Sequence, residues 1–244
     1  KATTTSYQKF LFHKNNIEDV FNILEHIKGM GVTITVFTTA DLINESIVQR
    51  LAQFPNITLL VKYNSQDIDK QNRLVGVTEY DCATRRDLAL NKLIEAGFND
   101  GKRLGIVTSL MEDNYNEVES IFRFARDNGL IFDADTFIDR GRAKACNLGL
   151  QSVKVRKIIS RLQKIDREEY NNIWEFHGTY IASPPCTSFD QHLYVRKDGV
   201  VSPCVGSPNV ILGNVKGESL LDIWEKPLTK IIRNHQYLGK CTTC

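Results

Sequence analysis

The sequence has almost no net charge: 31 Lys and Arg stand against 29 Asp and Glu, a difference of +2. A chain so balanced sets up no broad field, which excludes bulk electrostatic gripping of nucleic acid or of an acidic membrane surface. No apolar run reaches the roughly eighteen residues that a spanning helix needs. The first residues, Lys1-Ala2-Thr3-Thr4-Thr5-Ser6, lack the apolar core of a signal peptide, so the reading is of a cytoplasmic protein. Low-complexity tracts, Gly/Ser linkers and exact repeats are missing, which leaves a globular chain. The five histidines, His13, His26, His177, His192 and His235, are scattered without metal-ligand spacing. His177, close to Trp174 and Phe176, reads as a packed residue.

What is present begins with periodicity. With 244 residues and 42% of them hydrophobic, the chain has enough apolar material for one domain plus an appendage. Ile17, Val20, Phe21, Leu24 and Ile27 share a helical face, with Asn16 as N-cap and Gly29 and Gly31 as stops. The β-branched run Val32 to Thr38 then reads as a strand. The unit recurs: a helix over 44–54 ended by Pro55 and a strand over 57–63, then a helix over 81–96 closed by Gly97 and a strand over 103–108. A helix over 117–128 precedes a strand over 130–135. A further helix carries the apolar face Val155, Ile158, Ile159, Leu162 and Ile165 opposite a solvated stripe of Lys154, Lys157, Arg161 and Lys164.

Nearly continuous apolar strands alternating with amphipathic helices predict an α/β fold with a parallel sheet covered by helices. An open doubly wound sheet and part of a β/α barrel both satisfy the pattern. In either, chemistry sits at the C-terminal ends of the strands. Those ends are Thr38-Thr39-Ala40, Lys62-Tyr63-Asn64-Ser65, Thr108-Ser109 and the segment Arg140-Gly141-Arg142.

Four of the six cysteines lie in the last quarter. Twelve residues separate Cys186 from Gly199, four separate Gly199 from Cys204, and Cys241-Thr242-Thr243-Cys244 closes the chain. Two thiolates two residues apart grip one metal or one cluster edge from a tight turn, and a distant pair is brought in by the fold. The segment 192–203 reads as a hairpin turning at Asp198-Gly199, which sets Cys186 beside Cys204. Zinc and iron-sulfur both satisfy this spacing. Cys82 and Cys146 read as small, partly buried residues.

Cys186, Gly199 and Cys204, then Ile211-Leu212-Gly213-Asn214-Val215, Ser219 to Trp224 and Gly239-Lys240-Cys241-Thr242-Thr243-Cys244, resemble the SPASM or Twitch extension of radical S-adenosylmethionine enzymes. The resemblance implies that Cys186, Cys204, Cys241 and Cys244 hold an auxiliary [4Fe-4S] cluster, and that Trp224 packs the short helix against the cluster loop. It extends upstream in order: Thr38-Thr39-Ala40 stands where many members have Thr-Asn-Gly. Val61 to Ser65 is similar to their fourth strand, Glu95 to Phe98 to the end of the next helix, and Asp139 to Ala143 to a late Gly-Arg-Ala. It implies a partial β/α, TIM-like barrel over 1–180 and a cysteine-rich hairpin-plus-helix cluster domain over 181–244.

The family's Cys-x-x-x-Cys-x-x-Cys loop and its Gly-Gly-Glu segment do not occur in this sequence. The expectation is therefore a chain that enters the barrel about two strands in and is inactive alone. The complete enzyme would carry S-adenosyl-L-methionine and a second [4Fe-4S] cluster, and generate a 5′-deoxyadenosyl radical for hydrogen-atom abstraction. Thr38, Thr39, Lys62, Asn64, Ser65 and Arg142 become candidates for the cofactor side of the barrel mouth. Arg142 offers a bidentate fork for a carboxylate. The expected partners are a substrate and an electron donor such as flavodoxin or ferredoxin, with no nucleic acid and no membrane. Family habit puts a peptide or protein side chain first as substrate, with a sugar, nucleotide or other small metabolite second. The competing class is a non-catalytic α/β binding domain with a structural four-cysteine zinc site.

Overall fold

The computed structural model describes residues 17–77, 79–136, 148–176, 192–204, 207, 209–234 and 236. They fall into two compact units, one ending at 176 and the other starting at 192. The boundary expected between 180 and 181 lies outside the described residues.

The larger unit is built on four parallel strands, β1 (Ile34–Thr38), β2 (Ile57–Lys62), β3 (Leu104–Leu110) and β4 (Ile131–Thr136), paired in that order. Helices α1 (Ile17–Ile27), α2 (Glu45–Leu51), α3 (Ile68–Val75), α4 (Cys82–Glu95) and α5 (Val118–Asp127) connect or flank them, and α6 (Ser152–Glu169) follows β4. The strands alternate between two faces. Ile34 and Val36, Ile57, Leu59 and Val61, Leu104, Ile106 and Leu110, and Phe132 and Ala134 join the apolar core with the helices. This is the α/β fold expected, with the sheet of a partial barrel.

On the opposite face, Gly105 is buried between neighbours. A Cβ there would lie 2.7 Å from the Ile131 side chain and 2.8 Å from that of Leu60, so only glycine lets these two close together. Helix α6 shows the apolar face read from the sequence, with Val155, Ile158, Leu162 and Ile165 buried. It also buries Asp166 completely, paired with Arg126 at 2.7 and 3.1 Å. Beyond α6, Trp174 donates to the Phe132 carbonyl at 3.0 Å and packs edge-on against Phe122 and Phe132.

Helix α3 is not foreshadowed by apolar periodicity, because it buries only Gln71 and Val75. Its signals are terminal instead. Asp67 caps the start by accepting from Lys70 N, and Gly76 ends it at φ +67.

The smaller unit contains a three-stranded antiparallel sheet, β5 (Tyr194–Val195), β6 (Val200–Ser202) and β7 (Gly213–Asn214), in that order. Gly199 turns the β5–β6 hairpin at φ +87, as the Asp198-Gly199 dipeptide predicts. The third strand, Gly213–Asn214, comes from the stretch Ile211 to Val215 that carries the resemblance. Helix α7 (Leu220–Glu225) starts at Ser219, which accepts from Asp222 N at 3.1 Å, and α8 (Pro227–Arg233) begins on proline. Val201, Leu212 and Ile223 form the buried core of this unit.

Candidate functional site

The sheet face turned away from the helix core carries Thr35, Phe37, Thr58, Leu60, Lys62, Val107, Ser109, Ile131, Asp133 and Asp135 by strand alternation. Its charged members cluster toward the C-terminal ends. Lys62 pairs in register with Val107 and Val107 with Asp133, while Ser109 pairs with Asp135. Lys62 Nζ reaches Ser109 Oγ at 2.7 Å. Burial holds the Lys62 ammonium below the usual lysine range, and the charges of Asp135 and Asp133 oppose that shift without cancelling it. The result is a lysine poorly solvated near the end of β2, beside Ser109 and within reach of the Asp135 and Asp133 charges. Asp133 and Asp135 were not singled out in the sequence. The alternation Phe132-Asp133-Ala134-Asp135 was the signal that both carboxylates share the non-core face.

Asn64 and Ser65 are buried and bonded within the protein. Their backbone N–H groups donate to Gln71 Oε1 at 2.9 and 3.0 Å. Asn64 Oδ1 accepts from Ser109 N at 2.9 Å, and the Asn64 carbonyl accepts from Asn114 Nδ2 at 2.9 Å. Asn114 is fully buried; its Nδ2 also donates to the Ser109 carbonyl at 2.8 Å, and its Oδ1 accepts from Met111 N. These two asparagines continue the ladder between β2 and β3 with side chains after β2 has ended. Ser65 Oγ donates to Glu117, which also receives Lys70 Nζ and the Gln66 N–H. Burial raises the Glu117 carboxyl, but the bonds from Lys70, Ser65 and Gln66 outweigh it and hold the group below the usual range.

At the end of β1 the Thr38 hydroxyl is buried and accepts from Ala40 N at 3.0 Å. Ala40 is buried at φ +62, a left-handed conformation that a side chain disfavours and that marks this turn as strained. Thr39 Oγ1 donates to Asp41, as does the Tyr80 hydroxyl. Burial and Asp41 push the Tyr80 phenol up, and they raise the buried Cys82 thiol to about 12. Cys82 is therefore a protonated, unreactive thiol. Of the six mouth candidates, Lys62 is the one whose charged group lies on the non-core face. Thr38, Asn64 and Ser65 use their polar groups internally, Thr39 is bonded to Asp41, and Arg142 lies outside the described residues.

A cleft of about 530 Å³ runs along the other end of the sheet, lined by Thr35, Thr58, Leu60, Arg126 and Trp174 among others. It lies toward the strands' N-terminal ends, where this class of fold places stability rather than chemistry.

In the smaller unit Cys204 follows β6 and is half-exposed, with Sγ 3.8 Å from Ser207 Oγ and its carbonyl accepting from Ser207 N at 3.1 Å. Pro203 before it is buried and offers no N–H. Cys186, Cys241 and Cys244 lie outside the described residues, and among the described residues no three His, Cys, Asp or Glu side chains are disposed to hold a metal. Trp224 is half-buried, with the Arg233 guanidinium 3.9 Å from its ring centre. The donor chemistry fits an iron-sulfur cluster: four cysteines in the sequence, of which Cys204 is half-buried beside a hydroxyl.

The fold of the chain, a parallel sheet with helices followed by a small antiparallel unit bearing Cys204, is shared with solved structures of SuiB and anSMEcpe. Residues 186–244 match the SPASM family model, an iron-sulfur cluster-binding domain. Among solved structures, the chain is similar to Streptococcus suis SuiB bound to S-adenosylmethionine, with a TM-score of 0.78 at 17% identity, covering 100% of this chain and 59% of that one. SuiB bound to precursor peptide SuiA gives 0.73 at 16%, covering 98% and 57%. Native anSMEcpe with bound AdoMet and Kp18Cys peptide gives 0.65 at 14%, covering 99% and 72%. The chain thus spans less than two thirds of the length of SuiB. No curated protein matches it by sequence. Among the described residues, no helix is long and apolar enough to cross a membrane.

Proposed function

We propose that the chain is the barrel and auxiliary-cluster portion of a radical S-adenosylmethionine enzyme that modifies a peptide. The observation that carries this reading is the pairing, in one chain, of a SPASM match over 186–244 with a parallel sheet whose charged groups gather at its C-terminal mouth. The peptide is favoured because SuiB and anSMEcpe, whose fold the chain shares, are each seen with a bound peptide.

Cys186, Cys204, Cys241 and Cys244 would hold the auxiliary [4Fe-4S] cluster, which supplies substrate binding or electron transfer when bound. Lys62 serves the carboxylate end of S-adenosylmethionine. Its ammonium, short of solvent, gains more from a carboxylate than a solvated lysine would. Ser109 orients Lys62 through the 2.7 Å contact. Thr39 lines the cofactor side, while Thr38, Asn64 and Ser65 shape it through their buried hydrogen bonds. Arg142 offers a second cation for the same anion. Reducing equivalents come from a small electron-carrier protein such as flavodoxin or ferredoxin.

The test is metal and sulfide analysis of anaerobically prepared protein beside a Cys204→Ala variant, with S-adenosylmethionine binding followed by calorimetry. About four irons and four sulfides per auxiliary cluster, depleted in the variant, are expected. Lys62→Met should weaken S-adenosylmethionine by on the order of tenfold, one charge-assisted contact. One zinc with no sulfide would replace this reading with a structural knob on a binding domain.

A further inference from the structure

Ser202 is completely buried, and its Oγ has no hydrogen-bond partner among the described residues. Buried hydroxyls are nearly always paired, because an unpaired one forfeits its hydration for nothing. The position makes the exception informative. Ser202 ends β6, two residues before Cys204, and the residue between them is buried Pro203. Val201 belongs to the small apolar core with Leu212 and Ile223, so strand alternation turns Ser202 to the other face. Packing alone would be served there by alanine or valine.

We propose that the Ser202 hydroxyl donates a hydrogen bond to a sulfur of the iron-sulfur cluster held by Cys204, and so raises the reduction potential of that cluster. The inference rests on the reading of Cys204 as a ligand given above. Cluster sulfurs accept hydrogen bonds, and each bond stabilises the more negative, reduced state over the oxidised one. Ser202 thereby finds a partner that the described residues do not supply. Ser207, whose Oγ lies 3.8 Å from Cys204 Sγ, provides a second hydroxyl on the same ligand and an internal reference for the effect.

The experiment is a potentiometric titration of the auxiliary cluster, followed by electron paramagnetic resonance on the anaerobically purified protein. Variants Ser202→Ala, Ser202→Thr, Ser202→Val and Ser207→Ala are compared, each with its iron and sulfide measured. Ser202→Ala and Ser202→Val should lower the potential at unchanged cluster content, while Ser202→Thr, which keeps the hydroxyl, retains it. Threonine and valine have nearly the same shape, so their comparison stands even if alanine loosens the knob. Equal potentials for the threonine and valine variants overturn the proposal. Full iron and sulfide in Cys204→Ala instead removes the ligand reading beneath it, and the two failures are read from different measurements.

Discussion

Among the described residues, the core of the larger unit runs from Val20 on α1 to Trp174 beyond α6, whereas that of the smaller unit is Val201, Leu212 and Ile223 with Leu193, Val195 and Ile232 partly buried against them. The first has ample apolar burial to offset the entropy of ordering its chain. The described part of the second has far less, and small domains with little core draw stability from disulfides or metals. Its two helices leave Leu220, Leu221 and Leu228 largely exposed instead of adding them to the core. If the four cysteines hold a cluster as proposed, the difference makes that cluster a support of the smaller unit's fold as well as of its chemistry.

The largest expected effect follows from that contrast. Removing the cluster by chelation, or Cys204→Ala, should abolish amide hydrogen-exchange protection over 192–236 while leaving β1 to β4 as protected as before. Protection that survives in the smaller unit would erase the distinction. Next, Phe122→Ala should destabilise the larger unit by about 3–5 kcal/mol in urea titrations, because Phe122 is fully buried against Phe132 and Trp174. The iron content of the smaller unit should not change.

A smaller loss is expected from Asn114→Ala, about 2–3 kcal/mol, since the Ser109 and Asn64 carbonyls and Met111 N all lose a buried partner. A loss within measurement error would mean that water replaces the side chain. The smallest is Glu117→Gln, at most about 1 kcal/mol at neutral pH for a partly exposed pair. The folded carboxyl is held below its unfolded value, so its contribution is full above the ordinary carboxylate range and fades as pH falls through the folded value. Denaturation midpoints of wild type and Glu117→Gln should therefore converge in acid, and a gap that persists there would contradict the assignment.

Local chemistry was legible in the sequence, and long-range closure was not. The four parallel strands declared themselves through β-branched apolar runs, and the hairpin through Asp198-Gly199. Asn64 and Ser65 read as open ends of a strand, yet they are buried. Their partners Gln71, Asn114 and Glu117 stand 7, 50 and 52 residues away on elements that no pattern links to them. Helix α3 escaped notice because it has caps but no apolar stripe. The cysteine spacing pointed to a metal or cluster segment without choosing between zinc and iron-sulfur; the resemblance of 186–244, matched by the SPASM family model, made that choice.

Among the described strands of the parallel sheet, each hydrogen-bonds to those just before and after it in the chain. The ribosome therefore delivers β1 to β4 in the order in which they pair, and each new β/α unit adds to a surface already made. Loops to be closed stay short for a parallel topology, which favours speed. A nascent chain halted after β3 would expose the edge that Ile131 to Thr136 normally covers. Among the described strands the longest wait falls between the synthesis of Lys62 and that of Leu110, while the edge of β2 still lacks its next neighbour.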